Sequence, residues 1–231
     1  MRIEPGDEVK ERLGDFDVYG ARLLGLDVGP SSEEVGRRAR EAERDVREST
    51  TVDALKNDSI YGAFRDFFWR SGIDPTKTRP ASEALARRVL HGSKLPSINS
   101  FVDSLNMASL KTKIPFAAFD DGMLEGAFVL RFATPGETIL PIGREEQLVM
   151  EGNEIVISDE EKLIALYPHR DSDKTKITPK TRDAWIMSCG VPGLGSELLL
   201  SSLDTCIEEV RSACEGVVDP ETYTETASGK H

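Results

Sequence analysis

Residues 72–106, GIDPTKTRPASEALARRVLHGSKLPSINSFVDSLN, carry two helices back to back, and the rest of the chain is read outward from them. Gly72 and the Ile73-Asp74-Pro75 run end the helix before the stretch, since glycine suits a left-handed cap and a residue ahead of proline is driven out of the helical region. Ser82 reads as the N-cap of the first central helix. Leu85 and Val89, then Ala86 and Leu90, repeat at i, i+4, while Glu83 and Arg87 pair at the same spacing on the other side. His91-Gly92 closes that helix, and Pro96-Ser97 opens the next. There Ile98, Phe101, Val102 and Leu105 fall at i, i+3, i+4 and i+7, a core-facing stripe. Asn99, Asp103 and Asn106 occupy a neighbouring face. Such a polar stripe either caps turns or binds a ligand.

Towards the N-terminus, Val18, Leu23, Leu24 and Leu26 suggest a strand within 15–26, with Gly20 as a possible bulge. Ser31-Ser32-Glu33-Glu34 reads as a capping box in which Ser31 and Glu34 bond reciprocally. The helix it opens runs to about Ser49, with a narrow stripe of Val35, Ala39, Ala42 and Val46. A second helix starts after Asp58 and presents Tyr61, Phe64, Phe67, Phe68 and Trp69 as a broad aromatic face, read as core packing.

Beyond Pro115 the period changes from 3.6 to 2. Phe128, Leu130 and Phe132 alternate with Ala127, Val129 and Arg131, a strand with one deeply buried face. Turn signals at 120–122, 134–136, 142–143 and 151–153 cut the region into short strands near 116–119, 137–140, 147–149, 154–158, 163–167 and 184–189. A last helix spans about Ser196 to Cys214. The expected fold is therefore α+β, a single domain over 1–220 in which a largely antiparallel sheet packs with helices. The strand and helix within 15–49 lie on that body, and 221–231 form a frayed tail.

The chain has 231 residues and a formal net charge of −12. That length buries a full core, and that charge repels nucleic acid on average, so no DNA partner is expected. The charge is uneven. From Arg70 to Lys113 eight basic residues stand against three acidic ones, which makes either a solvated helix face or a local phosphate-binding face. No apolar run is long enough to span a bilayer, and the charged N-terminus lacks a secretory h-region. Cys189, Cys206 and Cys214 have no metal spacing and make no disulfide framework, which points to buried thiols in a reducing cytoplasm.

The chemical motifs that would name an enzyme class are missing. There is no GxxxxGK[ST], no GxGxxG after a strand and no HExxH, so neither a cofactor nor a metal is expected. The glycines of 190–195, GVPGLG, read as the turn before the last helix. His91 sits at a helix end and His231 at the terminus, which leaves no histidine for a Ser-His-Asp triad except His169. One cluster remains: Tyr167-Pro168-His169-Arg170-Asp171-Ser172, just past a buried strand. Arg170 and Asp171 either pair locally in a turn or orient a ligand's carboxylate, phosphate or amine.

Several pieces in order resemble a known family. The 72–120 run with Ile98 through Asn106 and Phe119-Asp120, then Glu125-Gly126 and Arg131, then Gly136-Glu137-Thr138, then RDSDKTKITPKT at 170–181, is similar to the B3/B4 domain of the bacterial phenylalanyl-tRNA synthetase beta subunit. The resemblance covers about residues 60–192. The Arg79-Pro80…Ser82-Glu83-Ala84-Leu85 and Arg170-Asp171-Ser172 runs look more like free-standing relatives of that domain. The resemblance implies a compact α+β body with a pocket between sheet and helices, and hydrolysis of a mischarged aminoacyl-tRNA ester. Two departures stand out. Ala117 occupies the position of the synthetase's histidine in its Met-His-Ala-Phe-Asp strand, and the run holding the synthetase's pocket glutamate is replaced here, with Asp171 and Asp173 as the nearest acids.

Three functions follow as expectations. The first is a trans-acting deacylase of a mischarged aminoacyl-tRNA. In it Arg170 and Asp171 hold the aminoacyl group, Asn99, Asp103, Asn106, Glu125, Tyr167 and Ser172 shape the pocket, and Arg79, Arg87, Arg88, Lys111 and Lys113 contact the tRNA. The second is a tRNA- or small-molecule-binding module without catalysis, favoured by Ala117 and the net acidity. The third is an interaction protein that docks through the helix near Glu33–Glu48. Nothing in the chain resembles an aminoacylation core.

Overall fold

A computed structural model describes residues 1–223. In chain order the elements are β1 (Arg2–Ile3), α1 (Asp7–Leu13), β2 (Val18–Leu24), α2 (Glu33–Ser49), α3 (Ser59–Arg70), α4 (Ala81–Leu90) and α5 (Ser100–Thr112). They are followed by β3 (Phe116–Asp120), β4 (Val129–Phe132), β5 (Thr138–Ile139), β6 (Leu148–Val149), β7 (Ile155–Ser158), β8 (Leu163–Leu166), β9 (Arg170–Asp171), β10 (Ala184–Cys189), α6 (Ser196–Cys214) and β11 (Val217–Val218).

The strands form not one sheet but three groups, all paired antiparallel. The first runs β1-β2-β10-β3 with β11 added to β2, the second runs β4-β7-β8-β9, and β5 pairs with β6. The helix α6 lies on β10 and β2, α5 lies on α6, and α2 and α4 lie on α5. One large core joins the first two sheets to α3, α5 and α6 through residues such as Phe68, Phe101, Phe119, Leu130, Ile164, Ile186 and Leu203. A smaller core sits among α2, α3, α4 and α5 around Val35, Tyr61, Val89 and Met107. This is the α+β architecture that the change of period at Pro115 implies.

The two central helices are both present, with different caps. Pro80, not Ser82, is the N-cap of α4, and Ser82 lies inside the first turn, fully buried. Proline has no N–H to leave unsatisfied, so the chain enters the helix there at no hydrogen-bond cost. The second helix begins at Ser100 rather than at Pro96-Ser97, because Asn99 caps it by accepting from the Val102 N–H at 2.9 Å. Ile98 is left outside the helix and is 65% exposed instead of core-facing.

Two N-terminal readings are also corrected. Ser32, not Ser31, caps α2 by accepting from Val35 N–H at 3.2 Å. Gly20 makes no bulge: it pairs in register with Met187. In α3, Asp58 accepts from the N–H groups of Ile60 and Tyr61, and Tyr61, Phe64, Phe67 and Phe68 are buried as the aromatic face implies. Trp69 is the exception, pointing outward at 57% exposure. Of the polar tail, Tyr223 is buried and donates to Asp204 at 3.0 Å; residues 224–231 lie outside the described residues.

Candidate functional site

The short strand β9 places Arg170 and Asp171. It is the last strand of its sheet and pairs with β8, Asp171 opposite Ala165 and Arg170 opposite Leu166. A cis peptide joins Tyr167 to Pro168 just before it. On its far side the loop at 140–142 holds it: Ile142 N–H donates to Asp171 O at 3.0 Å, and Asp173 N–H donates to Leu140 O at 2.7 Å. Ser172 is buried, its N–H donates to Ile164 O, and its side chain caps the turn at 173–175. The backbone at 170–173 is thus fixed from both sides.

Asp171 reaches out of its own sheet. Its Oδ2 accepts the N–H of Ala118 at 3.1 Å. Ala118 is on β3, the edge of the first sheet, where outward-pointing N–H groups lack a strand partner. One carboxyl therefore closes a sheet edge and joins two sheets. Burial pushes this carboxyl up to about 7, only partly offset by the Ala118 hydrogen bond.

Beside it is a small cavity of about 80 Å³, bordered by Ala81 at the start of α4, by Ala117 and Cys189 of the first sheet, and by Tyr167, His169 and Arg170. Tyr167 is fully buried and donates its hydroxyl to Gly190 O at 2.5 Å. His169 packs edge-on against Phe68, and burial beside Arg170 lowers its imidazole to about 4. The ring is therefore neutral at pH 7, and its Nδ1 is buried without a hydrogen-bond partner. Arg170 is exposed at the rim and donates to Ile142 O at 3.2 Å. A half-buried aspartate with its carboxyl near neutrality, a neutral imidazole and an arginine at the mouth are groups that can take a proton from water and hold an anionic neighbour.

The structure brings Tyr167, Arg170 and Asp171 together at this cavity and sets the other expected pocket residues elsewhere. Asn99 is spent on capping α5. Asp103 is buried and accepts from Ser31 Oγ at 2.5 Å, Ser97 Oγ at 3.1 Å and Ile98 N–H at 2.7 Å, so it staples the entry to α5. Asn106 is half-buried and does not border the cavity. Glu125 is exposed, and it is its backbone N–H that bonds, to Asp159 Oδ2.

The expected tRNA-contacting residues divide in the same way. Arg79 and Arg88 are exposed, Arg88 donating to Lys94 O at 2.6 Å. Arg87 is bound to the buried Glu83 at 2.8 Å, which also receives Arg65 at 2.9 Å. Lys111 is bound to Glu209 at 2.6 Å and Lys113 to Asp58 at 2.5 Å. Three of the five cations are thus already neutralised by carboxylates.

Sequence reasoning missed three features. The Ala118 N–H carries no side-chain signal and became visible only once β3 proved to be an edge. Cys189 carries the same signal as any buried thiol, yet it borders the cavity. A wider concavity, about 710 Å³, runs along the outer side of α3 past Trp69 and Arg70 and includes none of the expected site residues. Among the described residues no group of three or more His, Cys, Asp or Glu is arranged to hold a metal ion, and no helix is long and apolar enough to cross a membrane.

Three of the residues that carried the resemblance, Arg131, Glu137 and Asp120, hold turns. Arg131 and Glu137 form a two-pronged pair at 2.7 and 2.9 Å that clamps the turn between β4 and β5. Asp120 accepts from Gly122 N–H at 3.1 Å and Thr181 Oγ1 at 2.6 Å.

The phenylalanine–tRNA ligase beta subunit of Nitrosospira multiformis is 35% identical over 103 residues, 43% of this chain and 13% of that protein. That of Aquifex aeolicus is 25% identical over 197 residues, 80% of this chain and 25% of that protein. The chain thus spans a quarter or less of the length of these relatives. An N-terminal fragment of the phenylalanyl-tRNA synthetase beta subunit from Pyrococcus horikoshii superposes with a TM-score of 0.49 at 11% identity, over 94% of this chain and 51% of that one, a likeness too loose to build on. The model of the B3/4 domain matches residues 63–197, more than half of the sequence, and the chain belongs to the B3/4 domain family.

Proposed function

We propose that this chain hydrolyses the ester of a mischarged aminoacyl-tRNA in trans, with Asp171 as general base. The observation that carries this reading is the Asp171 carboxyl: it is held near neutrality at the edge of a cavity, with one oxygen engaged by Ala118 N–H. A base works best when its pKa lies near the operating pH.

An aminoacyl ester on a ribose oxygen is already activated, so a positioned water suffices and no protein nucleophile is required. The water oxygen attacks the ester carbonyl carbon while its proton passes to Asp171. The carbon–oxygen bond to the ribose then breaks, and the ribose oxygen departs with a proton, which returns the carboxylate. Arg170 at the rim meets the terminal phosphate or the developing oxyanion. Arg79 and Arg88 are exposed on the basic segment and supply phosphate contacts.

The test is deacylation of a panel of misacylated tRNAs at low salt, against an Asp171→Ala control. Turnover by the wild type and not by the control supports the reading; no turnover above the control ends it.

A second reading is a binding module without catalysis. It is favoured by the pairing of Arg87, Lys111 and Lys113 with carboxylates and by Ala117 in the cavity wall. Under it, tRNA raises the melting temperature but no amino acid is released.

A further inference from the structure

The Asp171 cavity is narrow for a reason that can be read from its walls. Three alanines, Ala81, Ala117 and Ala165, give it what space it has, while Phe116, Ile157 and Leu166 close around them. Ala165 and Ile157 are almost wholly buried, and each belongs to a paired strand: Ala165 stands opposite Asp171, and also opposite Ile157 on the other side. These walls are held by sheet hydrogen bonds and cannot swing aside as a loop would.

The resulting volume is about 80 Å³. A water molecule takes a share of about 30 Å³, and a cavity that accepts benzene measures about 150 Å³. The space is thus right for about two or three non-hydrogen atoms and about half of what an aromatic ring needs. The Asp171 oxygen not engaged by Ala118 is the polar atom at the cavity open to an amine or hydroxyl.

We infer that the editing site proposed above accepts aminoacyl esters with small side chains, of the size of alanine, serine or glycine, and excludes aromatic ones. The inference rests on the proposed function and narrows it. The side chain enters between Ala117 and Ala165, and the ester carbonyl stays at the mouth beside Asp171 and Arg170. Ala165 and Ala117 are the residues that set the size limit.

The experiment measures kcat/KM of the whole chain for alanyl-, seryl- and glycyl-tRNA beside phenylalanyl- and tyrosyl-tRNA. The expected result is a preference of about a hundredfold or more for the small esters, because a rigid wall rejects excess volume more sharply than a pocket rejects a missing methylene. Ala165→Val, which fills the cavity, is expected to remove turnover of the small esters at least tenfold while circular dichroism shows a folded protein. Hydrolysis of tyrosyl- or phenylalanyl-tRNA as fast as seryl-tRNA overturns the size limit and leaves the editing function standing. Undiminished seryl-tRNA turnover in a folded Ala165→Val protein also overturns it. No turnover of any ester overturns the editing function and the size limit together.

Discussion

Replacing Asp171 by asparagine separates the charge of this residue from its hydrogen bond. Asparagine has the same shape, and its side-chain oxygen still accepts the Ala118 N–H that Asp171 accepts at 3.1 Å. Only the ionisation is lost. Burial raises the folded-state carboxyl to about 7 from an ordinary 3.8. The folded protein therefore binds this proton more tightly than the unfolded chain does, and stability falls as pH rises from about 4 to about 7, then levels off. The full gap corresponds to about 4 kcal/mol. Relative to wild type, the Asp171→Asn protein is expected to gain about 2 kcal/mol at pH 5 and about 4 kcal/mol at pH 8. The difference between the two proteins cancels every other titrating group, so urea denaturation of both across pH 5–8 reads it directly. An asparagine protein whose advantage does not change between pH 5 and pH 8 would refute the claim that this carboxyl is held near neutrality.

Three further outcomes are expected. Glu83 is buried and holds both Arg65 and Arg87, so Glu83→Ala strands two guanidinium groups and should cost about 3–5 kcal/mol in urea denaturation. Asp58 caps α3 through two backbone N–H groups and also binds Lys113, so Asp58→Ala should cost about 1–2 kcal/mol, with a smaller loss for Lys113→Ala. Burial pushes the thiols of Cys189 and Cys206 well up, so neither should be alkylated by iodoacetamide at pH 8 in the native protein, and both should be after denaturation, as read by mass spectrometry.

The sequence made some of this architecture plain and hid other parts for physical reasons. The last helix was legible to the residue, Ser196–Cys214, because its apolar positions repeat without interruption. The strand at Ala184–Cys189 was equally clear, since turn residues flank an apolar run buried on both faces. Helix starts were less legible. Ser31-Ser32 and Pro96-Ser97-Ile98-Asn99 each offer several cap residues in a row, and the choice was made by distant partners: Asp103 takes both Ser31 and Ser97, leaving Ser32 and Asn99 to cap. The two-residue strands β1, β9 and β11 have no period to detect and exist only because longer strands template them.

The candidate site was legible only in part. Tyr167, Arg170 and Asp171 stood out as a polar cluster after a buried strand, and they do meet at one cavity. The Asn99, Asp103 and Asn106 stripe stood out equally, because spacing alone does not distinguish a cap or a staple from a ligand-facing group. What separates them is the partner: Asp103 is held by Ser97 and Ile98 close by and by Ser31, 72 residues away, and Asp171 by Ala118, 53 residues away. Part of the family resemblance was carried by Arg131, Glu137 and Asp120, which hold turns, and part by the run at 170–181, which borders the cavity.

The most direct test is the pH dependence of seryl-tRNA deacylation by the wild-type chain and by Asp171→Asn. Catalysis by Asp171 requires kcat/KM to rise with pH to a plateau with a midpoint near 7, and to be lost in the asparagine protein while that protein remains folded. A rate that is flat through neutrality, or one that survives the loss of the carboxyl, would contradict it.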